Sequence, residues 1–149
     1  MNLFIYYSLN KMYNLFMKEF VRVLKFVFFS ISAGLIEMGS FAVLTECTNL
    51  AYWPRYLIAL TLSVLWNFTL NRKFTFQSSN DVPTAMFKVF IFYLIFTPLS
   101  TWLGEYLTGL GWNDYLVTGI NMALNLITEF LYQRYYVFRD SIDTKVVKI

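Results

Sequence analysis

Two stretches decide how this chain is read: Asn67-Phe68-Thr69-Leu70-Asn71-Arg72-Lys73-Phe74-Thr75-Phe76 and Glu129-Phe130-Leu131-Tyr132-Gln133-Arg134-Tyr135-Tyr136-Val137-Phe138. Laid over one another at an offset of 62, they share Phe68/Phe130, Arg72/Arg134 and Phe76/Phe138, with Asn71/Gln133 and Phe74/Tyr136 as close equivalents. Self-similarity of this kind marks a duplicated supersecondary unit. Upstream of each stretch, Lys25-Phe26 corresponds in outline to Lys88-Val89. Each copy therefore reads as a two-helix hairpin, and the chain as two such hairpins in tandem.

Composition says what surrounds them. Of 149 residues, 58% are apolar and only 14% charged, with 16 Phe, 11 Tyr and 4 Trp. An ordinary soluble domain is about 25% charged, so this chain has too few charges to coat a water-facing surface. Its mean hydropathy is +0.51. There is no histidine, which excludes imidazole bases, histidine-ligated metals and Ser-His-Asp chemistry. The single cysteine, Cys47, can form neither an intrachain disulfide nor a metal cluster. No cofactor, no metal and no enzymatic activity are expected.

A membrane span takes about 20 mostly apolar residues. Four stretches qualify: Phe26–Thr45, Trp53–Asn71, Val89–Gly109 and Tyr115–Gln133. Pro54 lies where a first helical turn tolerates proline, and Pro98 need not break the third span because neighbouring helices can satisfy the freed carbonyl. Of the twelve basic residues, only Arg55, in the first turn of span two, falls on the side of the Glu46–Arg55 and Leu110–Asp114 loops. The other eleven precede span one, join spans two and three, or follow span four. The positive-inside rule then places both termini and the Gln77–Pro83 loop in the cytoplasm. The expected fold is an all-α integral membrane protein of four helices, two parallel-repeat hairpins, N-in and C-in. Residues 1–24 form a cytoplasmic or interfacial segment, 25–139 the membrane domain and 140–149 a cytoplasmic tail. Leu3, Tyr6, Tyr7, Tyr13 and Phe16 suit an interfacial helix. Met17-Lys18-Glu19-Phe20 reads equally as a natural start, and the preferred reading makes residues 1–16 dispensable. A pI of about 9.0 is explained by topology, so no nucleic acid partner is expected.

The repeat carries polar groups. Ala59, Ser63, Asn67 and Asn71 recur every four residues along one face of span two; Asn121, Asn125, Glu129 and Gln133 are their equivalents in span four. Each stripe ends at an arginine, Arg72 or Arg134. Taken singly, Ser63 and Asn125 read as interhelical hydrogen-bonding groups. A whole stripe with a basic end reads as a polar groove, because helix association does not need so many polar groups. Glu37 stands twelve residues beyond Lys25, roughly 18 Å up the helix and near the midplane. An acid there faces protein or water, and Asn67 or Asn121 is its expected hydrogen-bond partner. Glu129 lies five residues from Arg134 and suits an inner-face ion pair as well as a transport role.

The Asn71-Arg72-x-x-x-Phe76 and Gln133-Arg134-Tyr135-x-Val137-Phe138 elements, with Phe26, Gly34, Glu37 and Phe41 in span one, resemble the GtrA-like family. The chain is also similar to the membrane domain of some dolichol-phosphate mannose synthases. The resemblance covers roughly Leu24 to Arg139. Two residues depart from it: Ser30 stands where glycine is expected, and Glu129 interrupts an Asn/Gln-type stripe. The resemblance implies translocation of a polyprenyl-phosphate-linked sugar across the bacterial cytoplasmic membrane, for cell-surface polysaccharide synthesis or glycosylation. Arg72, Lys73 and Arg134 would hold the lipid phosphate. Glu37, Ser63, Asn67, Asn71, Asn121, Asn125, Glu129 and Gln133 would line the headgroup route.

Two alternatives stand beside it: a non-transporting membrane anchor for a glycosyltransferase, and a small ion-coupled exporter. The one-sided charge count disfavours the exporter, whose kind often inserts in both orientations. Four helices are too few to surround a headgroup route alone, so a homo-oligomer or a partner glycosyltransferase is expected.

Overall fold

The computed structural model describes residues 3–145. Lys148 of the inner charge cluster, and the ends of the two expected terminal segments, lie outside the described residues. Among those described, every regular element is helical. The order is α1 (Leu3–Cys47), α2 (Tyr52–Leu70), a π-helical turn (Asn71–Thr75), α3 (Val82–Gly109), α4 (Asp114–Tyr132) and a second π-helical turn (Gln133–Val137). The chain divides into two compact units, Met1–Thr75 and Phe76–Ile149, each built around one helical hairpin.

In the first unit α1 and α2 run antiparallel. Their register is fixed by Arg22 against Thr75, Ser30 against Asn67, and Arg55 over the Phe41 ring. Trp66 Nε1 also donates to Ser32 Oγ at 3.1 Å. α1 is unbroken, so residues 3–24 continue the helix that carries span one. At about 1.5 Å per residue, its 45 residues far exceed a bilayer core of about 30 Å.

The second unit repeats the scheme. Tyr132 donates its hydroxyl to the Lys88 carbonyl at 3.0 Å, and Asn121 Nδ2 donates to the Ser100 carbonyl at 3.2 Å. Gly104 permits that approach: a Cβ there would sit 3.1 Å from Asn121 Nδ2. Asp81 caps α3 by accepting from the Thr84 amide, and α3 runs on through Pro98. Phe76 stacks on Phe138 with ring centroids 4.8 Å apart, both rings wholly buried. Asp143 N and Lys145 N donate to the Phe76 and Gln77 carbonyls, each at 2.9 Å. The start of the expected cytoplasmic tail is thus tied to the loop after Phe76.

α1 and α3 contain stretches long and apolar enough to cross a membrane, and little of them is buried in protein: 6% and 17%. A core helix of a soluble protein would be mostly buried. Here Phe28, Ile31, Leu35 and Met38, like Phe90, Leu94, Ile95 and Leu99, point outward. Such an apolar surface calls for an apolar surrounding. Among the described residues α1 and α3 are the two helices that meet the requirement of length and hydropathy. α2 and α4, 19 residues each and about 28 Å long, match a span in length but do not reach the same hydropathy.

The turn from α3 into α4 passes through Gly111 at φ +86°, a left-handed conformation that a side chain disfavours. Gly111→Ala is expected to cost about 1–2 kcal/mol of stability. Gly109→Ala, inside α3 and facing open space, is expected to be neutral or slightly stabilising. Thermal unfolding of the two variants in detergent checks the contrast.

Candidate functional site

The two π turns occupy equivalent positions of the repeat, Asn71–Thr75 and Gln133–Val137. The second closes with the wide bond that defines such a turn, Phe138 N donating to the Gln133 carbonyl at 2.9 Å. Single π turns inside or at the end of α-helices are rare and recur at functional sites. Here each begins at a buried stripe amide, Asn71 or Gln133, and carries an arginine at its second position.

In the first hairpin the stripe forms a closed chain. Thr75 Oγ1 donates to Asn71 Oδ1, and Asn71 Nδ2 donates to Asn67 Oδ1, both at 2.7 Å. Ser30 Oγ approaches the same Asn67 oxygen at 3.5 Å. Ser63, Asn67 and Asn71 are all buried. Below them Arg22, 4% exposed, donates from Nε to the Thr75 carbonyl at 3.3 Å and pairs with Glu19. Ser30, the departure from the family's glycine, thus supplies a polar partner to the stripe. Gly34, one turn on, faces open space and brings no backbone close.

The second hairpin starts alike and ends differently. Gln133 Nε2 donates to Glu129 Oε1 at 2.9 Å, and Tyr93 also hydrogen-bonds the Glu129 carboxylate. Val137 stands where Thr75 stands in the first copy, and it has no hydroxyl to donate. Gln133 Oε1 therefore has no partner, although Gln133 is 1% exposed. Asn121 Oδ1 and Asn125 Oδ1, further along the same face, are buried and unpartnered as well.

Arg72 and Arg134 are half-buried and Lys73 is exposed. Lys73 Nζ lies 5.1 Å from the Phe74 ring centre and the Arg134 guanidinium 5.3 Å from that of Tyr135. The lysines at the hairpin entrances also match across the repeat. Lys25 Nζ donates to the Phe74 carbonyl at 3.4 Å, and Lys88 Nζ lies 4.9 Å over the Tyr136 ring.

Glu37 is half-buried, and the expected bond to Asn67 is not formed. The cause is register. Ser30 is the α1 residue level with Asn67, and Glu37 lies seven residues, about 10 Å, further along. Sequence reasoning overlooked Arg22, treated only as an orienting charge, and Tyr93. Tyr93 was signalled by the repeat, because it stands to Ser30 as Lys88 stands to Lys25.

Comparison with the curated proteins and with the solved structures returns no match. The family comparison does: residues 25–138 match the model described as GtrA/DPMS, transmembrane domain. The match begins at the lysine entering the first hairpin and ends at the phenylalanine that closes the second π turn. The chain belongs to the GtrA/DPMS transmembrane-domain family.

Proposed function

We propose that this protein moves a polyprenyl-phosphate-linked sugar from the cytoplasmic to the outer leaflet of the cell membrane, in the service of polysaccharide synthesis or glycosylation. Family membership supports a membrane role in those processes. The carrying observation is the repeated turn: in each hairpin a π turn presents an arginine directly beside a buried amide. A guanidinium can grip a phosphate through two parallel N–H donors, and amides can replace water around sugar hydroxyls. All four helices span the bilayer in this reading. Both π turns then lie on the cytoplasmic side, where eleven of the twelve basic residues fall. Arg72, Lys73 and Arg134 receive the phosphate, polar side chains of the repeat serve the sugar, and the prenyl tail stays in lipid. The working unit is a homo-oligomer or a complex with the glycosyltransferase that makes the substrate.

A second reading, a non-transporting partner of that glycosyltransferase, draws on one feature. The part of α1 before Phe26 bears exposed Tyr6, Tyr7, Tyr13 and Phe16, a surface suited to another protein.

Lysine substitution separates the two. If the arginines only orient the chain, lysine replaces them freely, because the orientation rule counts charge. If they grip phosphate, Arg72→Lys and Arg134→Lys insert normally yet each slows transport about tenfold in reconstituted vesicles, and the double variant slows it further. Wild-type transport by the double variant would leave the partner reading ahead.

Glu37 gives an independent check. As a polar contact along the route, Glu37→Gln keeps most transport while Glu37→Leu inserts and loses it. Equal loss in both would identify a proton carrier, and full activity of Glu37→Leu would remove the residue from the route.

A further inference from the structure

The two stripes descend from one repeat but differ in what they leave unpaired. On α2 no buried side-chain oxygen or nitrogen of the stripe lacks a partner among the described residues. On α4 and the π turn that follows it three do, Asn121 Oδ1, Asn125 Oδ1 and Gln133 Oε1, and all three are acceptors. A buried acceptor without a donor is disfavoured, and native proteins keep one where a ligand or water completes it. The difference at the Gln133 end traces to one position. Thr75 closes the first chain by donating to Asn71, and Val137 leaves the second open.

Spacing makes the open acceptors a row. From Gln133 to Asn121 is twelve residues along one helix face, a rise of roughly 18 Å, more than half the hydrocarbon thickness. The row starts beside Arg134. The Glu129 carboxylate in its middle is already held by Gln133 and Tyr93, so the remaining demand is for O–H or N–H donors. A glycosyl headgroup is such a donor set, with hydroxyls all round a ring. A bare phosphate, an acceptor alone, is not.

We propose that the second hairpin is the headgroup-binding half of the protein. Its α4 row, Asn121, Asn125 and Gln133, accepts hydrogen bonds from the sugar's hydroxyls, while the α2 stripe is a closed structural chain. This rests on the proposed transport of a phosphate-linked sugar and assigns the sugar to one of the two stripes.

Exchanging the divergent position tests it. Val137→Thr gives the second hairpin the donor that closes the first, and Thr75→Val opens the first. The probes are farnesyl phosphate and farnesyl phosphate carrying glucose, mannose, galactose or N-acetylglucosamine. The readout is the thermal stabilisation of the full chain in detergent, since a ligand that favours the folded state raises its unfolding temperature. Wild type is expected to gain more from at least one glycosylated probe than from farnesyl phosphate. Val137→Thr keeps the response to farnesyl phosphate but loses most of the sugar increment, about a tenfold weaker apparent affinity. Thr75→Val unfolds at lower temperature yet keeps the increment. If Val137→Thr does not fold, Asn125→Leu, which removes a single acceptor of the row, is expected to lose the increment in its place. An increment that survives in the folded Val137→Thr or Asn125→Leu protein, or that is lost in Thr75→Val instead, overturns the assignment and leaves the transport reading standing. No increment in wild type with any sugar overturns both.

Discussion

In hydrocarbon there is no water to complete a hydrogen bond, so a polar group must find its partner within the protein or go without. The details of both hairpins follow from this constraint. Hydroxyls meet it locally: Ser40, Thr45, Thr61, Thr101, Thr108 and Thr128 each bond back to the carbonyl four residues earlier in their own helix. Amides have too many donors and acceptors for that solution. Asn67 and Asn71 pair along the helix face with Thr75 and Ser30, and this chain fixes which residue of α1 lies level with which residue of α2. The buried Arg22 extends it to the carbonyl of the π turn. The polar groups are few, but they set the register of a hairpin whose apolar residues largely face outward.

Duplication explains why the same solution appears twice, and divergence explains why it does not close twice. The entrance lysines, the terminal π turns and the arginines correspond position for position. Ser30 with Asn67 in one copy is matched by Tyr93 with Glu129 in the other. Once the first copy holds its register with every stripe amide satisfied, the second is free to keep acceptors for something else. The proposed transport of a hydroxyl-rich headgroup through an apolar layer would give those acceptors donors.

Much of the fold was legible in the sequence because its signals are large. The expected start of span four at Tyr115 and the end of span three at Gly109 fall within a residue of the helix bounds. Periodicity of four exposed the stripes, and the offset of 62 exposed the hairpins. The π turns were not legible, because a bond from residue i to i+5 leaves no signature in residue type. Arg22 was hidden for a related reason: a basic residue before a span is fully explained by topology, so nothing in the sequence separates a buried arginine from Lys18, also in that segment. The bond expected between Glu37 and Asn67 failed because depth alone was counted. Interhelical register, which depends on side-chain pairs such as Ser30 with Asn67, decides which groups at similar depth can meet.

The proposed cytoplasmic phosphate grip requires a one-sided arrangement in which both π turns, and so Arg72 and Arg134, meet the cytoplasm. Single cysteines at Ser79 and Asn113 in a Cys47→Ala background, probed with a membrane-impermeant maleimide, test this most directly. Asn113→Cys is predicted to label in intact cells and Ser79→Cys only after the membrane is opened. Equal labelling of Ser79→Cys before and after opening would mean that copies insert in both directions, which contradicts a cytoplasmic phosphate grip and favours the exporter.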